Sequence, residues 1–313
     1  MRTILVTGPI GGGKTTVCRR LASKGWPVYD SDSRTKALYT SVPGLKEKIE
    51  ETVGTTLDKL SVIFTDDAKR EALEALVYPE VLKDFKAWRD AQTASMVFFE
   101  SAVALSKPAF RQLFDRVWLV DAPMESRLVR NPKASQRDRL QSFDRSEADI
   151  VIINDGTKEE LYDKTDRIMK TDLAKILAVS GYHGLYLYLA QSRANGAIAE
   201  SLSDKKRINF PPTSRITTLE DIAIYTSEGE MKLSQVFTAM KDSFDGKEVP
   251  GSKAPADQIK AVFEKAVPNY DADRFYISHM KKVVDWYNEL VNFASLDFVT
   301  DEDREKEAQA AAE

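Results

Sequence analysis

Gly8-Pro-Ile-Gly-Gly-Gly-Lys-Thr15 decides the reading of this chain. It follows a short apolar run, Thr3-Ile-Leu-Val-Thr7, and opens a helical pattern over Lys14–Lys24, with Val17, Leu21 and Ala22 on one face and Gly25 as a stop. The run fits G-x-x-x-x-G-K-[ST] at every fixed position. Each residue type has a physical reason. Glycines let main-chain N–H groups converge on phosphate oxygens, and the helix start adds its positive dipole end to the same anion. Lys14 is expected to reach the β- and γ-phosphates, and the Thr15 hydroxyl to coordinate Mg²⁺. Gly8, Gly11, Gly12, Gly13, Lys14, Thr15 and Thr16 are therefore the expected nucleotide-binding set, with ATP and Mg²⁺ as cofactors. Pro9 removes one N–H early in the loop, which leaves the amides of Gly11–Thr16 for binding.

Around this loop, residues 1–170 alternate strands and helices. Pro27-Val-Tyr29 is a strand ending in Asp30-Ser-Asp32, and a long helical region spans about Ser33–Asp90. Further strands are Ser95–Phe99, Arg116–Val120 and Ile150–Ile153. Short apolar strands separated by helices predict an α/β fold, a parallel sheet covered on both faces in three layers. Ligands of such sheets sit at the carboxyl ends of the strands. Asp30 and Asp32 leave such an end, where a carboxylate can take the proton of an attacking hydroxyl, hold a metal-bound water, or merely cap the next helix.

Thr7–Val17 together with Gly25-Trp-Pro-Val-Tyr-Asp-Ser-Asp32 resembles the opening of the dephospho-CoA kinases, whose glycine-rich loop is followed by G-x-P-x-x-D-x-D at this distance. Further matches follow in order: Leu57-Asp-Lys-Leu60 with Ile63-Phe64, Leu76-Val-Tyr-Pro79, Asp121-Ala-Pro123, and Ala148-Asp149 with Asn154-Asp-Gly156. The resemblance covers about residues 1–170. It implies a P-loop kinase with a lid that transfers the ATP γ-phosphate to the 3′-hydroxyl of dephospho-CoA. It also implies Asp32 as general base and Asp30 as a supporting carboxylate. Lys36 falls where the family has a basic residue, and Asn154 falls in its closing motif on the nucleotide side. Arg137-x-x-x-Gln141 has the spacing of the lid's R-x-x-x-Q, and Arg127, Arg130 and Arg139 are further candidate cations or a solvated basic face. Tyr78 stands where the family has histidine. Glu100, at the third strand's end, is the nearest candidate for the family's acid, and both are expected on the acceptor side. The lid segment is shorter than the family's. The alternatives are another small-metabolite P-loop kinase, or a nucleotide-binding regulator with weak catalysis.

Past Thr171 the pattern changes. Ala174–Ser180, Gly184–Leu189 and Gly196–Glu200 are closely spaced short strands with glycine turns, predicting a small antiparallel β-barrel. Helices follow at Lys232–Phe244, Pro255–Ala266 and Ser278–Ala294, the last with Met280, Val283, Val284, Tyr287, Leu290 and Val291 on one face. Residues 171–298 thus read as a second, α+β domain. They resemble an uncharacterised bacterial domain family through Ile176–Gly181, Gly184-Leu-Tyr186, Ser201–Arg207, Ile222–Tyr225, Val267–Tyr276 and Lys281–Tyr287. That family has no assigned activity, so the partner of this part is unknown. Asp271, Asp273 and Arg274 read as a polar cluster or, equally well, as a helix-capping turn.

The chain has 313 residues, 42% hydrophobic and 30% charged, which is ordinary for a globular protein of two domains. The tail, residues 299–313, is expected to fray. Thr300–Glu313 carries six acids and two bases and so accounts for the whole net charge of −4. The body is near neutral and offers no basic field for nucleic acid. A single cysteine, Cys18, forms no internal disulfide and fits a reducing cytoplasm. No signal peptide and no membrane-length apolar run are found. His183 and His279 lie outside the first domain with no nucleophile pattern near them, and Trp26, Trp88 and Trp118 read as core or near-core.

Overall fold

The computed structural model describes residues 1–60, 66–132, 134–135 and 144–312. Ile63, Phe64, Arg137, Arg139 and Gln141, all singled out above, lie outside the described residues. The chain divides into two compact units, Met1–Thr165 and Asp166–Glu313.

In the first unit β1 (Arg2–Thr7) is central, and Ile4, Leu5 and Val6 are at most 3% exposed. A strand so buried on both faces needs neighbours on both sides and layers above and below. It pairs in parallel with β3 (Met96–Glu100) and β4 (Arg116–Asp121). Beyond these lie β2 (Val28–Asp30) and β5 (Ile150–Ile153), giving the order β2-β3-β1-β4-β5. Register then does the positioning: Asp30 lies opposite Glu100, and Glu100 opposite Val6. The loop after β1 and two carboxylates therefore emerge side by side at the carboxyl edge.

The long helical region resolves into α2 (Ser31–Ser41), α3 (Leu45–Val53) and α4 (Asp67–Asp90), after α1 (Lys14–Ser23). Pro43 holds Val42 extended where α2 ends, Gly44 starts α3 in the left-handed conformation, and Gly54 in the same conformation stops it. On α1 the buried residues are Val17, Cys18 and Leu21; Ala22 is exposed, because Cys18 rather than Ala22 shares the inward stripe. Tyr29 anchors the layer between sheet and α4, stacked on Phe99 at 5.0 Å and edge-on to Phe85 at 5.1 Å. Trp118 is buried and Trp26 and Trp88 half-buried. After β4 come α6 (Met124–Arg130), preceded by the short α5 (Pro108–Arg111), and then α7 (Lys158–Met169).

The second unit carries an antiparallel sheet in the order β10-β6-β7-β8-β9. Its strands are β6 (Ile176–Val179), β7 (Leu185–Gln191), β8 (Ala197–Ser201), β9 (Arg207–Phe210) and β10 (Ile216–Thr218). Among the described residues the edge strands β9 and β10 do not pair, so the expected barrel closure is not found. A three-residue β10 and a separate hairpin, β11 (Ala223–Thr226) with β12 (Gly229–Lys232), take the chain away from that edge. Three helices, α8 (Leu233–Ser243), α9 (Ala256–Ala266) and α10 (Ile277–Phe293), share one core with the sheet around Phe237, Phe263 and Tyr287, all fully buried. Five of the six residues expected on the inner face of α10 are buried; Val291 is half-buried.

The tail is not frayed. It forms α11 (Asp301–Ala312), opened by a reciprocal cap in which Asp303 N–H donates to Thr300 Oγ1 at 3.2 Å and Thr300 N–H to Asp303 Oδ2 at 2.8 Å. Lys170 binds Asp303 at 2.7 Å, and Arg304 reaches Asp172 and Glu220 at 3.0 and 2.6 Å. These contacts tie the charged segment down where charge composition alone pointed to solvent.

Candidate active site

The loop after β1 is shaped by its glycines. Gly8 has φ 139°, and a Cβ there would lie 2.1 Å from Val120 O; Gly13 has φ 113°, and a Cβ would lie 2.3 Å from Asn154 Nδ2. No L side chain fits either place. Gly13 is the N-cap of α1, with no side-chain cap and no acid in the first turn. The first N–H groups of that helix, which have no intrahelical acceptor, are thus left for an anion.

Lys14 Nζ arches back over the loop, donating to Gly8 O at 2.8 Å and Pro9 O at 3.1 Å. Burial pushes its ammonium below the ordinary range, opposed by the carboxylates of Glu100 and Asp32, which face it across the cleft. Thr15 Oγ1 donates to Glu100 Oε1 at 2.6 Å. Burial raises the Glu100 carboxyl above its usual range, and the Thr15 hydrogen bond draws it back. Ser31 Oγ donates to Glu100 O at 2.6 Å, which fixes the start of α2 against the end of β3. Cys18 is buried behind the loop, and its thiol is pushed well up by burial and then by Glu100, which makes it an inert packing group.

Of the strand-end aspartates, Asp30 caps α2: Oδ1 accepts from Ser33 N–H at 3.1 Å and Oδ2 from Ser33 Oγ at 2.6 Å. Asp32, on the first turn of α2, is exposed and lines a cavity of about 680 Å³. Lys36 and Tyr78 line the same cavity; Glu100 stands at the neighbouring strand end against Thr15. Burial, then Glu74, pushes the Tyr78 phenol above its ordinary range. The cavity also takes in Arg70, Glu74 and Lys107, which the sequence reading did not name. The signal available was the recurrence of Arg70, Leu73, Glu74, Val77, Tyr78 and Val81 at helical spacing; Lys107 gave none.

On the other side of the loop, Asn154 Nδ2 donates to Gly12 O at 2.8 Å. Arg130 donates to Asn154 Oδ1 at 3.3 Å and to Gly11 O at 3.2 Å, and Arg127, only 6% exposed, donates to Ile10 O at 3.0 Å. Two of the four arginines read as lid cations thus hold the loop's carbonyls from α6. Thr16 lies on the first turn of α1, its N–H bonded to Gly13 O. His183 and His279 are exposed in the second unit.

Among the described residues no three His, Cys, Asp or Glu side chains group as a metal cage. A hydroxyl and a carboxylate oxygen 2.6 Å apart suit a hard cation that keeps most of its shell for water and phosphate oxygen, as magnesium does. No helix in the described residues is long and apolar enough to cross a membrane.

A sequence model described as dephospho-CoA kinase matches residues 2–160. Two models described as domains of unknown function match parts of the remainder, DUF5606 over 173–219 and DUF6852 over 222–290. A dephospho-CoA kinase of Porphyromonas gingivalis is 34% identical over 178 residues, covering 49% of this chain and 86% of that protein. One of Thermus thermophilus is 32% identical, covering 55% and 90%. A crystal structure of a Thermus thermophilus protein is 31% identical with a TM-score of 0.45, covering 51% of this chain and 92% of that one.

Proposed function

This chain belongs to the dephospho-CoA kinase family, and from that premise we propose that residues 1–170 transfer the γ-phosphoryl group of ATP to the ribose 3′-hydroxyl of dephospho-CoA, giving coenzyme A and ADP. The observation that carries the reading is the junction at Glu100. Its side chain meets Thr15 of the phosphate loop, its main chain meets Ser31 beside Asp32, and the Lys14 ammonium feels both carboxylates. Phosphate cradle and acceptor cavity therefore open on one cleft.

Phosphoryl transfer asks little covalent chemistry of a protein and much positioning. The amides of Gly11, Gly13, Lys14 and Thr15, at the start of α1, hold the β- and γ-phosphates; those of Gly12 and Thr16 are bonded to Pro9 O and Gly13 O within the loop. Lys14 exchanges its two carbonyl partners for phosphate oxygens. Asp32 accepts the proton of the 3′-hydroxyl as that oxygen attacks the γ-phosphorus, and the β–γ bridging oxygen leaves with ADP. Thr15 would hold Mg²⁺ through its hydroxyl, with the Glu100 carboxylate beside it. The ion, when bound, neutralises phosphate charge. Asp30 keeps α2 in place as its cap, and Lys36 and Tyr78 meet the acceptor. Asn154 supports the loop from the nucleotide side. Arg137, by family resemblance, brings charge from the lid. The setting is the cytoplasm, with which a single buried unpaired cysteine is consistent.

Asp32→Asn tests the base. It is expected to cut kcat by about 10²–10⁴ while magnesium-dependent ATP binding persists. Undiminished turnover in this variant removes Asp32 from the role.

A further inference from the structure

Helix α2 carries Asp32 and yet has little apolar hold on the rest of the fold. Among its residues only Ser31 is buried, and Leu38 and Tyr39 are half-buried. By contrast, α1 buries Val17, Cys18 and Leu21, and α3 buries Leu45, Ile49 and Val53. A helix in a protein owes most of its stability to a packed apolar face, so the placement of α2 rests on polar contacts. Its first turn is held by the Asp30 cap and by Ser31 on Glu100 O.

A second anchor grips α2 one turn further on. Arg34 Nε donates to Asp84 Oδ2 at 2.6 Å and Nη2 to Asp84 Oδ1 at 2.7 Å, a two-pronged match of guanidinium and carboxylate. The Tyr29 hydroxyl donates to the same Oδ2 at 2.7 Å, and the Arg34 guanidinium lies 5.0 Å from the centre of the Tyr29 ring. Tyr29 is fully buried on β2, and Asp84 belongs to α4. One carboxylate thus joins α2 to the sheet and to α4. The hydrogen bonds from Arg34 hold the Asp84 carboxyl below its ordinary range, so the fork stays charged at neutral pH. Arg34 follows Asp32 by two residues, about 200° around the helix. Asp32 lines the cavity, and neither Arg34 nor Asp84 does.

Resting on the assignment of Asp32 as base, we propose that Arg34, Asp84 and Tyr29 are positioning residues whose shared fork sets the rotation and height of α2 and so holds Asp32 in line with the acceptor hydroxyl. They act through α2 and not on the substrates.

The test combines steady-state kinetics with hydrogen exchange on the full chain. Arg34→Met keeps the stem and removes the fork; Arg34→Lys keeps the charge and cannot fork. Each is expected to lower kcat about 10–100-fold, the scale of a misplacement of about 1 Å, and to leave the KM for ATP within about twofold. The amides of α2 are expected to exchange at least about tenfold faster, with those of β1 and α1 unchanged. Adding Asp84→Asn to Arg34→Met is expected to cost little more, because the same contact is lost only once. Wild-type kcat in Arg34→Lys makes the charge and not the fork the agent, and overturns the proposal. So does unchanged exchange of α2 in Arg34→Met. Wild-type protein that does not turn over dephospho-CoA overturns the kinase reading and the positioning role with it; that failure is distinct, because the exchange comparison needs no substrate.

Discussion

The phosphate loop and the core of the second unit both bury polar groups, but to different ends. At the loop, Lys14, Glu100, Arg127 and Asn154 converge, and their partners are largely main-chain carbonyls of the loop itself. Burial pushes Lys14 down and Glu100 up, so the charged form of each is held at a cost. In the second unit, Glu289 accepts Leu185 N–H with both carboxylate oxygens, and Thr171 and Ser295 exchange hydrogen bonds at 2.7 and 2.9 Å. Those groups close on the chain and join β7 to α10 and the segment before β6 to the segment after α10. Polar burial alone therefore does not mark a site. What marks one is polar burial beside an uncapped helix start and a cavity lined by unbalanced charge.

The sharpest way to break this comparison starts in the second unit. Phe237→Ala removes a fully buried ring shared by sheet and helices. It is expected to cost about 3–5 kcal/mol in that unit, read as lost hydrogen-exchange protection of the amides of α8 and α10. A much smaller loss means the core repacks and is not what orders the unit. Next comes Lys14→Met, expected to lower kcat about 10²–10³-fold, as loss of one transition-state cation does, with little change in the melting temperature. A large fall in melting temperature instead makes Lys14 a structural strut, like Glu289.

Asn154→Ala lies between these two kinds of role. It removes the brace on Gly12 O and a partner of Arg130, and is expected to raise the KM for ATP about tenfold, the scale of one lost buried hydrogen bond, with the acceptor KM unchanged. Smallest is a pair of pH effects of opposite sign in the second unit. Burial raises Glu289, so its contribution to stability is full below its ordinary range and is lost as pH rises through the folded value. Asp303 is pushed up by burial but, more strongly in sum, held low by Lys170 and Thr300. Its contribution is full above the ordinary carboxylate range and is lost as pH falls through the depressed value. Glu289→Gln should flatten the alkaline side of the stability profile, and Asp303→Asn the acid side. Melting temperatures from about pH 1.5 to 8 check both.

How much of this could be read from the sequence followed the range of the interaction involved. The loop, the strand-end aspartates and the parallel sheet were legible because each rests on local pattern: glycines at fixed offsets, apolar runs, and Asp at a strand end. The inner face of α10 was legible for the same reason, from its 3.6-residue period. Asp30 was open between cap and carboxylate, and its bonds to Ser33 are those of a cap. The cavity wall was not legible, because Lys107, just before α5, meets Glu74 of α4 across 33 residues of sequence only in the folded unit. Barrel closure depends on whether two edge strands meet, which strand patterns do not encode. The tail is different: its Thr300-x-x-Asp303 cap was present in the sequence and was outweighed by the run of charges around it.

The most direct measurement follows the product. Wild-type protein is incubated with ATP, Mg²⁺ and dephospho-CoA, and phosphorus NMR reads where the new ester forms. The account predicts a phosphate monoester at the ribose 3′ position, one for each ADP released. ATP uptake without any ester, or an ester on another hydroxyl, contradicts it.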